Sequence, residues 1–111
     1  MIPHQITLSE AIDLTTRYRN NPVRDLPLAE TYDASSVMNL LNQPECKFFR
    51  IYLGRKPDNR ICSVLVGADA EGQDILPPAR LTSLTGEDEG IILEDAFQCP
   101  PACPPPSPLN E

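Results

Sequence analysis

The sequence predicts an α+β domain: two helices packed on an antiparallel sheet centred on a hairpin over residues 47–67, followed by a proline-rich C-terminal tail. Three observations carry this. Thr7-Leu8-Ser9-Glu10 has the hydroxyl and glutamate spacing of a capping box. Two β-rich runs, 47–54 and 60–67, flank a turn signal. The last fifteen residues hold six of the thirteen prolines and two of the four cysteines, in Cys99-Pro100-Pro101-Ala102-Cys103 and the prolines beyond it.

The first helix is predicted from about Leu8 to Arg19. Leu8, Ala11, Ile12, Leu14, Thr15 and Tyr18 give a broad apolar face, and Asp13 and Arg17 form an i,i+4 pair. Asn20-Asn21-Pro22 ends it, because the residue before proline avoids the helical region. Leu28–Tyr32 alternates and reads as a strand. Asp33 then caps a short helix with Val37, Leu40 and Leu41 at core spacing, stopped by Asn42-Gln43-Pro44.

In the hairpin, taking Lys56-Pro57-Asp58-Asn59 as a four-residue loop pairs Arg55 with Arg60. That register sets Leu53 against Cys62, Ile51 against Val64 and Phe49 against Val66, an all-apolar face suited to the interior. The other face, with Phe48, Arg50 and Tyr52, is mixed and at most partly covered. Residues 69–74 read as a turn, after which Ile75 and Leu76 resume the sheet until Pro77-Pro78 break it. Residues 79–90 read as a surface loop, and Ile91-Ile92-Leu93 as the last strand. The predicted organisation is one domain over 1–96 and a Cys/Pro-rich tail over 97–111.

Composition excludes several functions. The net charge of −7 divides unevenly: +1 over residues 1–60 and −8 over 61–111. A general nucleic-acid binder needs a basic stripe that this acidic second half does not provide. No apolar run is long enough to span a membrane. Met1 followed by no basic and apolar leader suggests a complete cytoplasmic product. In that compartment cysteines are thiols or metal ligands by default.

Cys99 and Cys103 leave three readings. An extended polyproline path would hold their Cα atoms about 12 Å apart, which favours separate thiols. A turn at Pro101-Ala102 would allow a disulfide. A shared zinc would need Cys46, Cys62 or His4 as well. Cys99, Cys103 and Cys46 are therefore the candidate metal ligands, and no other cofactor is expected. Asp69, Glu71 and Asp74 surround Gly72 without the ligand spacing of a calcium loop, so solvated carboxylates on a turn are expected. His4 is the only histidine and lies at the N-terminus, which argues against a nucleophile–histidine pair.

Arg50, Arg55, Lys56 and Arg60 cluster at the hairpin and its tip. They are read as neutralised by an in-chain acid such as Glu87-Asp88-Glu89, or else as binding an anion or the acidic second half of a neighbour. Pro104, Pro105 and Pro106 would dock into an aromatic groove as polyproline II.

The stretches Gln43–Gly54 and Leu65–Ile75, with the Cys-Pro-Pro-Ala-Cys end, resemble a family of small bacterial proteins of similar length. No activity is established for that family, so the resemblance implies a natural single domain and brings no catalytic residue. The expected function is a non-enzymatic binding or adaptor protein. It would act on another protein, or on a second copy of itself, through a sheet edge, the basic hairpin tip or the tail. The alternative is a zinc-binding or thiol-redox-responsive protein using Cys99 and Cys103.

Overall fold

A computed structural model describes residues 2–77 and 90–110. Helix α1 spans Leu8–Asn20 and opens on the predicted capping box: Glu10 N–H donates to Thr7 Oγ1 at 3.1 Å, and Thr7 N–H to Glu10 Oε1 at 3.0 Å. Its end is closed by Asn21 N–H donating to the Tyr18 carbonyl. Arg17 and Asp13 meet at 3.1 Å as expected. The helix buries none of its residues, however, so its apolar face is not the core face the periodicity implied. Tyr18 ties it to the following turn by donating its hydroxyl to the Leu26 and Pro27 carbonyls.

Strand β1 (Ala29–Thr31) follows, then helix α2 (Ala34–Leu41), of which Leu40 is completely buried. Leu41, expected in the core, is exposed. Strands β2 (Phe48–Arg55) and β3 (Ile61–Ala68) form the central antiparallel hairpin, with β4 (Ile92–Leu93) on the far side of β3. Strand β5 (Phe97–Cys99) pairs antiparallel with β1 in a separate two-stranded ribbon. The chain therefore leaves the sheets only after Cys99, three residues into the segment assigned to the tail. Alternation of Phe97 and the buried Gln98 is too short a signal to read beside the prolines. The Ile75–Leu76 strand reduces to a bridge between Asp74 and Ala68 and one bond from Ile75 N–H to the Gly67 carbonyl. Residues 78–89, most of the expected surface loop and all of Glu87-Asp88-Glu89, lie outside the described residues.

The hairpin register is one residue away from the predicted one. Asn59 N–H donates to the Lys56 carbonyl at 2.8 Å, closing a turn with Pro57 at the position that suits its fixed φ. Asn59 then takes φ 76°, and Lys56 N–H donates to the Arg60 carbonyl. This is the three-residue hairpin loop with a left-handed third residue. Arg55 consequently pairs with Ile61, Leu53 with Ser63, Ile51 with Leu65 and Phe49 with Gly67.

A one-residue slip exchanges the faces. Phe49, Ile51 and Leu53 share a side with Ser63, Leu65 and Gly67, whereas Cys62, Val64 and Val66 lie opposite with Tyr52 and Arg50. The expected six-residue interior face does not exist. Its β3 half is covered, with Cys62 and Val66 buried and Val64 partly so, while Phe49, Ile51 and Leu53 are 44%, 56% and 77% exposed. The core instead centres on β3. Helix α2 lies over Gly67, where an added Cβ would come 2.8 Å from Cys46 Sγ and 3.6 Å from Leu40 Cδ2. Glycine is what permits that approach.

Candidate protein-binding edge

Strand β2 is the outermost strand of its sheet, and among the described residues nothing pairs with its far side. The bond from Lys56 N–H to the Arg60 carbonyl fixes which backbone groups face β3. Even-numbered residues of β2 turn their N–H and C=O inward. Phe49, Ile51, Leu53 and Arg55 turn theirs outward. The edge thus offers a row of unpaired donors and acceptors on a strand of eight residues. Large apolar side chains flank that row on both faces: Phe49, Ile51 and Leu53 on one, Phe48 and Tyr52 on the other, all exposed.

The turn after β3 folds back over the Tyr52 face. Asp69 Oδ1 accepts Glu71 N–H and Gln73 N–H, both at 2.9 Å, and Gly72 takes φ 86°. These bonds place Asp74 beside β2, where Oδ1 takes Arg50 Nη1 at 2.6 Å and Oδ2 takes the Tyr52 hydroxyl at 2.6 Å. Tyr52's hydrogen bond, and then the Arg50 guanidinium, hold the Asp74 carboxyl below its usual range. The same bond to Asp74 raises the Tyr52 phenol above its ordinary value.

The four basic residues named from the sequence do not form one cationic site. Arg50 is spent on Asp74 and the Gly72 carbonyl. Arg55 Nη1 donates to the Asn59 carbonyl within the loop. Lys56 Nζ lies 2.8 Å from Glu94 Oε2 and 3.4 Å from Asp95 Oδ1, and the bond to Glu94 raises its pKa. Arg60 donates to the Pro100 carbonyl. In-chain acids do neutralise part of the cluster, through Asp74, Glu94 and Asp95.

Cys99 and Cys103 are joined in a disulfide with their Cα atoms 4.4 Å apart. The chain is not extended between them: Ala102 N–H donates to the Gln98 carbonyl at 2.8 Å, bending the segment into a turn. This corrects the favoured reading of separate thiols, since the extended path assumed for it is not taken. In this state neither sulfur is a free thiolate for a metal. Cys46 is half-buried under Gly67, and no group of three or more His, Cys, Asp or Glu among the described residues is arranged to hold a metal ion. Pro104, Pro105 and Pro106 are exposed, with the Pro105 carbonyl accepting from Asn110 Nδ2 at 3.1 Å.

A polar cluster absent from the sequence reading anchors the β1–β5 ribbon to β3. Gln98 Nε2 donates to Glu30 Oε2 at 2.7 Å and to the Ile61 carbonyl at 2.9 Å. Ser63 Oγ donates to Glu30 Oε1, and the Tyr32 hydroxyl lies 2.9 Å from Ser63 Oγ. Burial raises the Tyr32 phenol. Among the described residues no buried side-chain nitrogen or oxygen is left without a hydrogen-bond partner, and these bonds make the cluster a structural joint. Isolated polar residues on short strands carry no periodic signal that would have singled them out.

No family model, curated protein or solved structure matches the chain. No helix among the described residues is long and apolar enough to cross a membrane.

Proposed function

We propose that this is a non-enzymatic protein-binding module that works through the outer edge of β2. The observation that carries it is the conjunction on one strand of outward-facing backbone groups with exposed Phe49, Ile51 and Leu53. An extended segment added at such an edge gains main-chain hydrogen bonds, while alternate side chains give selectivity. The hairpin tip is a weaker candidate, because Lys56 is ion-paired with Glu94 and Asp95 while Arg55 and Arg60 are held by backbone carbonyls. The exposed Pro104, Pro105 and Pro106 offer a second contact. The partner in this reading is a protein, with no nucleic acid or membrane, and the setting is the cytoplasm.

The test is affinity capture with the intact chain, with Leu53→Lys, and with a chain ending at Cys103. Loss of a bound protein from Leu53→Lys supports the edge. Loss only from the shortened chain moves the function to the prolines. Identical capture by all three removes the reading.

The disulfide favours a second reading, a thiol-redox response of Cys99 and Cys103. In a reducing compartment the pair opens, and an oxidant closes it. Zinc would enter only with the pair reduced. Thiol counting across a series of glutathione ratios tests this, and a pair that stays closed throughout dismisses it.

A further inference from the structure

We infer that the occupant of the β2 edge is β2 of a second copy, paired antiparallel about a two-fold axis through Ile51. The inference rests on the edge-binding reading above. Outward-facing residues of β2 are the odd-numbered ones, so a two-fold pairing centred on Ile51 matches donors with acceptors at three positions: Ile51 with Ile51, Phe49 with Leu53 and Leu53 with Phe49. All six of these side chains lie on one face, giving an unbroken apolar stripe across the seam. The three-stranded sheet would become six-stranded, and neither copy would keep an open β2 edge.

Charge selects this register. On the opposite face it sets Arg50 of each copy across from Tyr52 of the other, whose hydroxyl is held by Asp74. The two Arg50–Asp74 pairs then interleave with alternating sign. Centring the axis one residue earlier would stack Arg50 on Arg50, a like-charge contact. Centring it one residue later would oppose Phe49 with Arg55 and lose the apolar match.

The core argues for the same occupant. Among the described residues only Leu40 and Val66 are large side chains fully buried, while five large apolar side chains of β2 are exposed. A domain of this size with so small an interior gains most from an obligate neighbour of its own kind.

Sedimentation equilibrium of the intact protein tests this, with an expected mass of twice 12.3 kDa. Ile51→Lys and Leu53→Lys should each weaken the dimer at least about 100-fold, the scale of a lost central contact. Leu8→Lys, on exposed helix α1, should change nothing. Residues directly across a hydrogen-bonded pair have Cα atoms about 5.5 Å apart, within disulfide reach. Ile51→Cys should therefore cross-link on oxidation where Leu53→Cys and the parent chain do not.

A dimer that ignores both β2 lysines, or one in which Ile51→Cys fails to cross-link, overturns the inference. A protein that stays monomeric to about 0.1 mM overturns it too. In that case a captured protein released by Ile51→Lys leaves the edge reading standing. Capture indifferent to Ile51→Lys ends both.

Discussion

Tyr52 and Asp74 stand 22 residues apart in sequence, yet the tyrosine hydroxyl donates to Asp74 Oδ2 at 2.6 Å. That bond, with Arg50 on the other carboxylate oxygen, fastens the 69–74 turn over one face of the edge strand. It sets how the strand presents its second face, and it makes the turn sensitive to pH at both extremes.

Asp74 has its folded pKa lowered, so the stability it contributes is present above the ordinary carboxylate range and disappears as pH falls through the folded value. Tyr52 has its folded pKa raised, so its contribution is present below pH 10 and disappears as pH rises past the folded value. Asp74→Asn should remove the acid-side loss assigned to this group. It should also bring one tyrosine down toward its ordinary pKa in an ultraviolet titration. An unchanged tyrosine titration in Asp74→Asn would show that the bond does not form in solution.

Gly67 supplies a packing prediction. In Gly67→Ala the new methyl would lie 2.8 Å from Cys46 Sγ and 3.3 Å from Gln43 Nε2. Overpacking of this kind costs about 1–3 kcal/mol. Removing the sulfur with Cys46→Ala should restore much of the loss, so the double variant is more stable than Gly67→Ala alone. Urea denaturation of the four chains measures the coupling, and strict additivity would refute the contact.

The disulfide closes a loop of only four residues' separation. Chain-entropy arguments give a bridge that short about 2 kcal/mol, near the lower end for disulfides. The unfolded, unreduced protein should show two reactive thiols, Cys46 and Cys62, rising to four after reduction. Reduction should loosen β5 first, because Cys99 pairs with Ala29 and its carbonyl accepts Leu28 N–H at 2.8 Å. Hydrogen exchange at Leu28 under reducing and oxidising conditions follows this directly.

The helices and the hairpin were legible because each rests on a local device. Thr7 and Glu10 announce α1, Asn42-Gln43-Pro44 stop α2, and Pro57-Asp58-Asn59 mark the tip. The exact register was not legible, because it turns on whether Asn59 adopts a left-handed φ or a right-handed one. Both loops are compatible with the same residues, and the register that does not form has the fuller apolar match, since the observed one sets Leu53 against Ser63 and Phe49 against Gly67. That one dihedral decides which β3 residues stand across from Phe49, Ile51 and Leu53, and so which face of the hairpin they share. Non-local bonds such as Tyr52–Asp74 or Gln98–Glu30 join residues whose spacing in sequence carries no repeat. The short strand at Phe97–Cys99 was hidden for a related reason: its partner is β1, 68 residues away at Glu30–Gln98.

Gln43 joins helix α2 to strand β4, and its two ends can be tested apart. Oε1 accepts Ile91 N–H at 2.8 Å and Gly90 N–H at 3.2 Å, while Nε2 donates to the Leu40 carbonyl at 2.9 Å. Gln43→Leu keeps the volume and leaves two backbone N–H groups at a half-buried position without an acceptor. Each orphaned donor costs about 1–3 kcal/mol when water cannot reach it. Gln43→Glu keeps the acceptor and loses the donor to Leu40, so its cost should be the smaller. The expected order of stability is therefore parent, then Gln43→Glu, then Gln43→Leu, read from denaturation midpoints at neutral pH. Exchange of the Ile91 amide should be fastest in Gln43→Leu and near the parent rate in Gln43→Glu. Equal stabilities for the two variants would mean that the Oε1 bonds do not hold β4 against the helix.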